Sequence, residues 1–155
     1  MQKLIKTFSL HGKTLSTCES FTGGLFASKI CGIPGASQVY LGSIVAYSVS
    51  AKLDLVHIDP KLIQQYGTIS PQVVSQMAEK TRLLFKTDYA IAFSGNAGPE
   101  AQEGKAVGLW FGAISTASQT IVFGGISNLS RNDLREDAIE TGCKNLLELF
   151  RNTQG

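Results

Sequence analysis

The sequence predicts an α/β fold, a three-layer α/β/α domain with a mixed, mainly parallel sheet. Three observations carry that prediction. Strand-like and helix-like segments alternate through the first half of the chain, which is the pattern of parallel strands joined by helical crossovers. Two strand-like runs then follow each other with no helix between them, as a hairpin does. The final stretch keeps a helical spacing of apolar residues. Helices between strands cover both faces of a sheet, and a hairpin adds antiparallel strands to one side.

The elements follow in order. Residues 1–11 read as an amphipathic helix, with Leu4, Ile5 and Phe8 on one side and lysines between them. Thr14 to Cys18 alternates polar and apolar residues, giving a first strand over 13–18, and a helix is expected from Thr22 to Cys31. Gly32 to Ser37 is a turn, because Pro34 and Gly35 set opposite dihedral demands. The second strand is expected over Val39 to Tyr47, and short helices over 50–55 and 60–66. Ser70-Pro71 is a helix start, with serine as N-cap and proline in the first helical position. Val73, Val74, Met77, Thr81, Leu84 and Phe85 then keep helical spacing. Tyr89 to Phe93 reads as a buried strand that ends in Ser94-Gly95-Asn96-Ala97-Gly98-Pro99, and 100–105 as a polar loop. Val107 to Ser115 and Gln119 to Gly125 form the hairpin. The last helix begins near Arg131 and carries Leu134, Ala138, Ile139 and Leu146.

Composition narrows the function classes. At 155 residues the chain fits one domain, 1–155, with room for a sizeable core. Apolar content of 43% and charged content of 17% are those of a globular protein, and a net charge of +2 offers no basic surface for nucleic acid. No apolar stretch is long enough to span a bilayer, and the N-terminus is too interrupted by charge for a signal peptide. The expectation is a cytoplasmic protein with neither nucleic acid nor membrane as partner. Cys18, Cys31 and Cys143 form no C-x-x-C pair, which argues against a disulfide scaffold or a zinc site. Cys18 reads as a small buried hydrophobe.

Chemistry concentrates where strands end. Ligands of α/β sheets bind beyond the carboxyl ends of the parallel strands. Three predicted strands end in small polar or glycine-bearing segments: Ser20 to Gly24, Tyr47 to Ser50, and Ser94 to Gly98. Ser20 falls at a strand-to-helix seam, where backbone N–H groups of a helix's first turn are free. Gly23 and Gly24 allow a ligand close to the backbone. A serine nucleophile needs a base, and His11 and His57 sit in surface-like contexts, whereas Lys52 follows the second strand. Lys52 is either that base, with a pKa depressed by burial, or a solvated residue of a short helix. Glu19 either caps the following helix or pairs with Lys52. Thr22 is a helix cap or a phosphate ligand. Tyr47 is a packing residue or part of a proton relay. Arg131 and Arg135, one helical turn apart, either meet an anion or form a solvated face. The glycines at 23–24 and 95–98 offer backbone N–H groups to phosphate.

The segments Glu19-Ser20-x-Thr22-Gly23-Gly24, Pro34-Gly35-x-Ser37, Tyr47-Ser48-x-x-x-Lys52, Gly67-Thr68-Ile69-Ser70 and Ser94-Gly95-x-Ala97-Gly98-Pro99 occur in the order and approximate spacing of the CinA C-terminal-domain family. The chain resembles that family over about residues 1 to 150. The resemblance implies a nicotinamide-nucleotide amidase of the stand-alone form, which hydrolyses nicotinamide mononucleotide to nicotinic acid mononucleotide and ammonia in pyridine nucleotide recycling. It implies Ser20 as nucleophile, Lys52 as base, and Ser94 and Tyr47 as further catalytic residues. Glu19, Thr22, Gly23, Gly24, Gly95, Ala97, Gly98, Arg131 and Arg135 are the candidate substrate-binding residues. The partner implied is a small-molecule nucleotide substrate, with no cofactor and no metal; oligomeric state is open, a homodimer included. The oxyanion is expected to rest on N–H groups of Thr22 to Gly24.

The sequence departs from the family between Glu100 and Leu109, where paired glycines and a Lys-Pro step are missing; Asn96 and Val49 are further departures. With fewer glycines, fewer unusual dihedrals are expected there and nucleotide binding is expected to be weaker. The alternative reading is a catalytically silent nucleotide-binding or protein-interaction module.

Overall fold

The computed structural model describes residues 1–154. Its elements are α1 (Gln2–Leu10), β1 (Leu15–Glu19), α2 (Leu25–Cys31), β2 (Tyr40–Val45), α3 (Val49–Asp54), α4 (Pro60–Tyr66), α5 (Pro71–Phe85), β3 (Tyr89–Gly95), β4 (Leu109–Ser115), β5 (Thr120–Ile126) and α6 (Arg131–Gln154). A short 3₁₀ turn, Ala36–Gln38, precedes β2.

The five strands form one sheet in the order β2-β1-β3-β4-β5. β1 runs parallel to both β2 and β3, and β3-β4 and β4-β5 are antiparallel. The α/β fold with a mixed sheet is as the sequence predicts. The chain leaves β1 for β2 on one side, then crosses to β3 on the other. The direction of winding reverses at β1, and that reversal opens a crevice beyond the ends of β1 and β3.

Alternation along the strands explains the two layers of helix. Leu15, Ile91, Phe93 and Ile114 face α1, α2 and α6, where Phe8, Phe26, Ile30, Leu134, Ile139 and Leu146 complete a large buried cluster. The opposite face carries Cys18, Ala92 and Ala113 against Val73, Val74, Met77 and Ala78 of α5. Small residues on that face let α5 lie close across β1, β3 and β4. Ser16 sits among them, fully buried, with its hydroxyl hydrogen-bonded to that of Thr87 at 2.8 Å. α5 begins as expected: the Ser70 hydroxyl accepts from the Val73 N–H at 3.3 Å and Pro71 opens the helix.

Two expectations are corrected. The second helix starts at Leu25 rather than Thr22, because Gly23 and Gly24 adopt left-handed φ of +60° and +89° and hold Ser20 to Gly24 as a turn. Within the 100–105 loop, Gln102 to Lys105 close a tight two-residue hairpin, where fewer unusual dihedrals were expected. Gln102 and Lys105 exchange backbone hydrogen bonds of 3.3 and 2.8 Å around Glu103 (φ +55°) and Gly104 (φ +70°). The unusual dihedrals are therefore present, carried by the Glu-Gly step in place of paired glycines. Among the described residues, no helix is long and apolar enough to cross a membrane.

Candidate active site

Ser20 extends β1 by one residue: its N–H donates to the Phe93 carbonyl of β3 at 3.0 Å, and its residue is 8% exposed. The neighbouring strand ends in step, with the Ala46 N–H donating to the Glu19 carbonyl at 2.8 Å. The chain then turns into α3, capped by the Ser48 hydroxyl, which accepts from the Ala51 N–H at 3.0 Å. One helical turn on from that cap, Lys52 points back beneath the strand ends.

Lys52 is 2% exposed, and its Nζ donates to Ser20 Oγ at 2.9 Å and to the Ala46 carbonyl at 2.7 Å. The sequence left Lys52 open between a buried base and a solvated lysine; the structure buries it against Ser20. Burial pulls its pKa below the ordinary lysine value, opposed by Cys18 and Glu103. The Cys18 thiol is itself pushed up to about 12 by burial, so at neutral pH it carries no charge and Glu103 alone opposes the shift. An ammonium with few acceptors and little water is disfavoured against the neutral amine.

The third strand end completes the pocket. Ser94, 1% exposed, donates its hydroxyl proton to the Thr68 carbonyl at 2.7 Å. Ser20, Lys52 and Ser94 line one crevice together with Tyr47, Gly95, Ala97 and Arg131. Arg131 closes the rim, donating to the Gly98 carbonyl at 2.7 Å and to the Tyr47 hydroxyl at 3.0 Å. Tyr47 is 61% exposed, so it is a rim hydroxyl rather than a packing residue.

Six of the expected ligand-facing residues do not line the crevice: Glu19, Thr22, Gly23, Gly24, Gly98 and Arg135. Glu19 is fully buried, and its carboxylate accepts from the N–H groups of Gly24 (3.1 Å), Phe26 (3.1 Å) and Ala27 (2.9 Å). It caps α2 and does not pair with Lys52. The helix start is thereby filled by an internal anion and is not a phosphate site. The Gly23 N–H donates to the Ser20 carbonyl. Arg135 turns away from Arg131 and donates to the Thr22 carbonyl at 2.7 Å, bracing the turn. The Thr22 side chain is buried, with no partner for its hydroxyl among the described residues. The Gly98 backbone serves the rim and the Asn96 side chain.

The expected oxyanion donors shift accordingly. Within the turn, only the N–H groups of Phe21 and Thr22 have no partner among the described residues. The residue after a nucleophile is the usual source of such a donor.

The sequence reading missed Phe21, Thr68, Ile69 and Gln102, which also line the crevice. Thr68 and Ile69 lie in the Gly67-Thr68-Ile69-Ser70 segment, which stood out as a motif without a role. Gln102 comes from the hairpin, whose Glu-Gly step was a readable turn signal. Among the described residues, no group of three or more His, Cys, Asp or Glu side chains is arranged to hold a metal ion.

A family model for the CinA C-terminal domain matches residues 1–150. The chain belongs to that family. A competence-damage inducible protein from Halalkalibacterium halodurans is similar to it at 35% identity over 97% of this chain and 36% of its own length. A CinA-like protein from Pseudothermotoga lettingae shares 42% identity over 76% of this chain and 29% of its own. The CinA-family chain thus spans well under half the length of these relatives. Among solved structures, the competence/damage inducible protein CihA from Agrobacterium tumefaciens superposes with a TM-score of 0.90 at 29% identity, covering 95% of this chain and 91% of that one. A CinA superfamily protein from Enterobacter cloacae gives 0.89 at 29% identity, covering 95% and 90%. The five-stranded CinA-family sheet and its flanking helices are shared with both.

Proposed function

We propose that this CinA-family chain is a serine–lysine amidohydrolase that converts nicotinamide mononucleotide to nicotinic acid mononucleotide and ammonia through an acyl-enzyme. The observation that carries the reading is the 2.9 Å contact between Ser20 Oγ and the Nζ of a buried lysine. When Lys52 loses its proton, that contact reverses: the Ser20 hydroxyl donates to the amine lone pair while an N–H still donates to the Ala46 carbonyl.

Lys52 takes the hydroxyl proton as Ser20 Oγ bonds to the carboxamide carbon. The oxyanion that forms is held by the Phe21 N–H, the unpartnered N–H of the turn whose residue lines the crevice; such a donor contributes about 3–4 kcal/mol in comparable sites. The Lys52 ammonium returns the proton to the amide nitrogen, the C–N bond breaks, and ammonia leaves. Water then gives a proton to Lys52 and its oxygen to the acyl carbon, and Ser20 recovers its proton as the carboxylic acid departs. Ser94 takes no part as a relay in this scheme, because its proton is committed to the Thr68 carbonyl. Its oxygen instead accepts an N–H of the carboxamide, which turns the nitrogen lone pair toward Lys52. Arg131 at the rim meets the phosphate end of the substrate.

The test is ammonia release from nicotinamide mononucleotide by the purified protein and by Ser20→Ala. Loss of the nucleophile is expected to cost at least about 10³-fold in turnover with the fold intact. Wild-type turnover in a folded Ser20→Ala protein would eliminate the covalent mechanism.

A further inference from the structure

The hairpin at 102–105 reaches across the molecule to the segment that holds Ser94. The Glu103 carboxylate accepts the Thr68 N–H at 2.8 Å, the Thr68 hydroxyl at 2.6 Å and the Ile69 N–H at 3.4 Å. Lys105 Nζ clamps the same stretch from beside it, donating to the carbonyls of Tyr66 and Ile69. Gly67 leaves room for this contact, since a Cβ there would collide with the Glu103 carboxylate. Glu103 is held in the left-handed region at φ +55°, a conformation a glutamate seldom adopts unless its contacts fix it.

The peptide between Thr68 and Ile69 joins two of these bonds. Its N–H meets the Glu103 carboxylate, and its carbonyl accepts the Ser94 hydroxyl proton. A negative charge at the N–H end of an amide strengthens the acceptor at its oxygen end. With its proton fixed there, the Ser94 oxygen presents only lone pairs to the crevice. An oxygen that only accepts favours an amide, which brings N–H groups, over a carboxylate, which brings none.

We propose that Glu103 is a positioning residue that acts through the Thr68–Ile69 amide to hold Ser94 as an acceptor, and that this arrangement selects carboxamide over carboxylate in the pocket. This inference rests on the amidase reading for the identity of its ligands. It also supplies a means of shedding the acid product, which carries the group that Ser94 does not bind.

The test is protection of Ser20 from a fluorophosphonate label, which reads occupancy of the pocket without turnover. Nicotinamide mononucleotide and nicotinic acid mononucleotide serve as the two protecting ligands. In the wild type, the amide is expected to protect at about tenfold lower concentration than the acid. Glu103→Gln loses the charge and at least one accepted bond, so its preference should fall to near unity, as should that of Ser94→Ala. The double variant should lose no more than either single one, the non-additivity expected of residues acting in series. Thr68→Val removes the hydroxyl contact but keeps both amide bonds, and should retain most of the preference. An unchanged preference in Glu103→Gln overturns the inference, as does an equal loss in Thr68→Val, which would mark Glu103 as a simple clamp. A wild-type pocket protected by neither ligand overturns it as well. Selective protection without ammonia release sinks the amidase reading and leaves the role of Glu103 standing.

Discussion

Replacing Glu19 by alanine tests how the nucleophile turn is held. The Glu19 carboxylate is fully buried and accepts three backbone N–H bonds of 2.9 to 3.1 Å from the first residues of α2 and the glycine before it. Alanine leaves all three donors without a partner. A buried unsatisfied donor costs about 1–3 kcal/mol, which puts the sum at about 3–9 kcal/mol. The end of a short helix relaxes and admits water, so the lower part of that range applies, about 3–5 kcal/mol. Glu19→Gln keeps one acceptor oxygen and should lose about half as much. Urea unfolding followed by circular dichroism reads both values from the shift in midpoint at constant slope. Fluorophosphonate labelling of Ser20 under native conditions should slow in both variants, because the turn that presents Ser20 loses its anchor. A loss below about 1 kcal/mol in Glu19→Ala, with α2 still formed, would refute the argument that this carboxylate organises the turn.

Three further outcomes follow from the geometry. Lys52→Arg should be nearly as inactive as Lys52→Ala in the ammonia assay, since arginine keeps the charge but cannot surrender its proton; an active arginine variant would make the lysine an electrostatic anchor. Because burial lowers the pKa of Lys52, the unfolded chain holds a proton that the folded chain has lost between that lowered value and about 10.4. Stability should therefore rise with pH across this window in the wild type and stay flatter in Lys52→Met, as read from urea midpoints; identical profiles would count against the shift. Gly95→Ala places a Cβ at 2.7 Å from the Trp110 Cβ and 3.1 Å from the Phe21 ring, next to the nucleophile. It should cost about 1–3 kcal/mol of stability and lower turnover by about tenfold or more, and a variant with wild-type kinetics would show that Phe21 moves independently of Ser20.

The parts of the fold that were legible in the sequence are those set by local pattern. The Ser70-Pro71 cap, the alternation in Thr14 to Cys18, and the small polar segments closing three strands each depend on residues within a few positions. Their convergence followed from the parallel order of β2, β1 and β3, which the helices between them dictate. The parts that were not legible depend on distant partners. Glu19 was readable as a cap of the next helix or as a partner of Lys52, and only the folded turn decides for the cap, which occupies the Gly24 N–H assigned to a ligand. Arg131 and Arg135 look equivalent at one turn apart, yet one reaches Tyr47 across the rim and the other the Thr22 carbonyl. The bond from Glu103 to Thr68 spans 35 positions, and only the Glu-Gly step hinted that the segment turned at all.

The direction of the strands has a consequence for how the chain tolerates change. β4 runs against β3, so its first residues, Leu109 and Trp110, lie beside Gly95 at the crevice, while its last, Ser115, pairs with Ala90 at the far edge. The link from β4 to β5, closed by the Thr116 hydroxyl accepting from the Gln119 N–H at 3.1 Å, belongs wholly to that far edge. Evolutionary drift, an inserted epitope or a fluorescent label at residues 116–119 meets only the rules of a surface turn. The same alteration at 107–110 disturbs the backbone bonds that hold Asn96 and the strand pairing of Gly95, directly behind the pocket. One hairpin thus offers both a conservative end and a permissive one, separated by the length of a single strand.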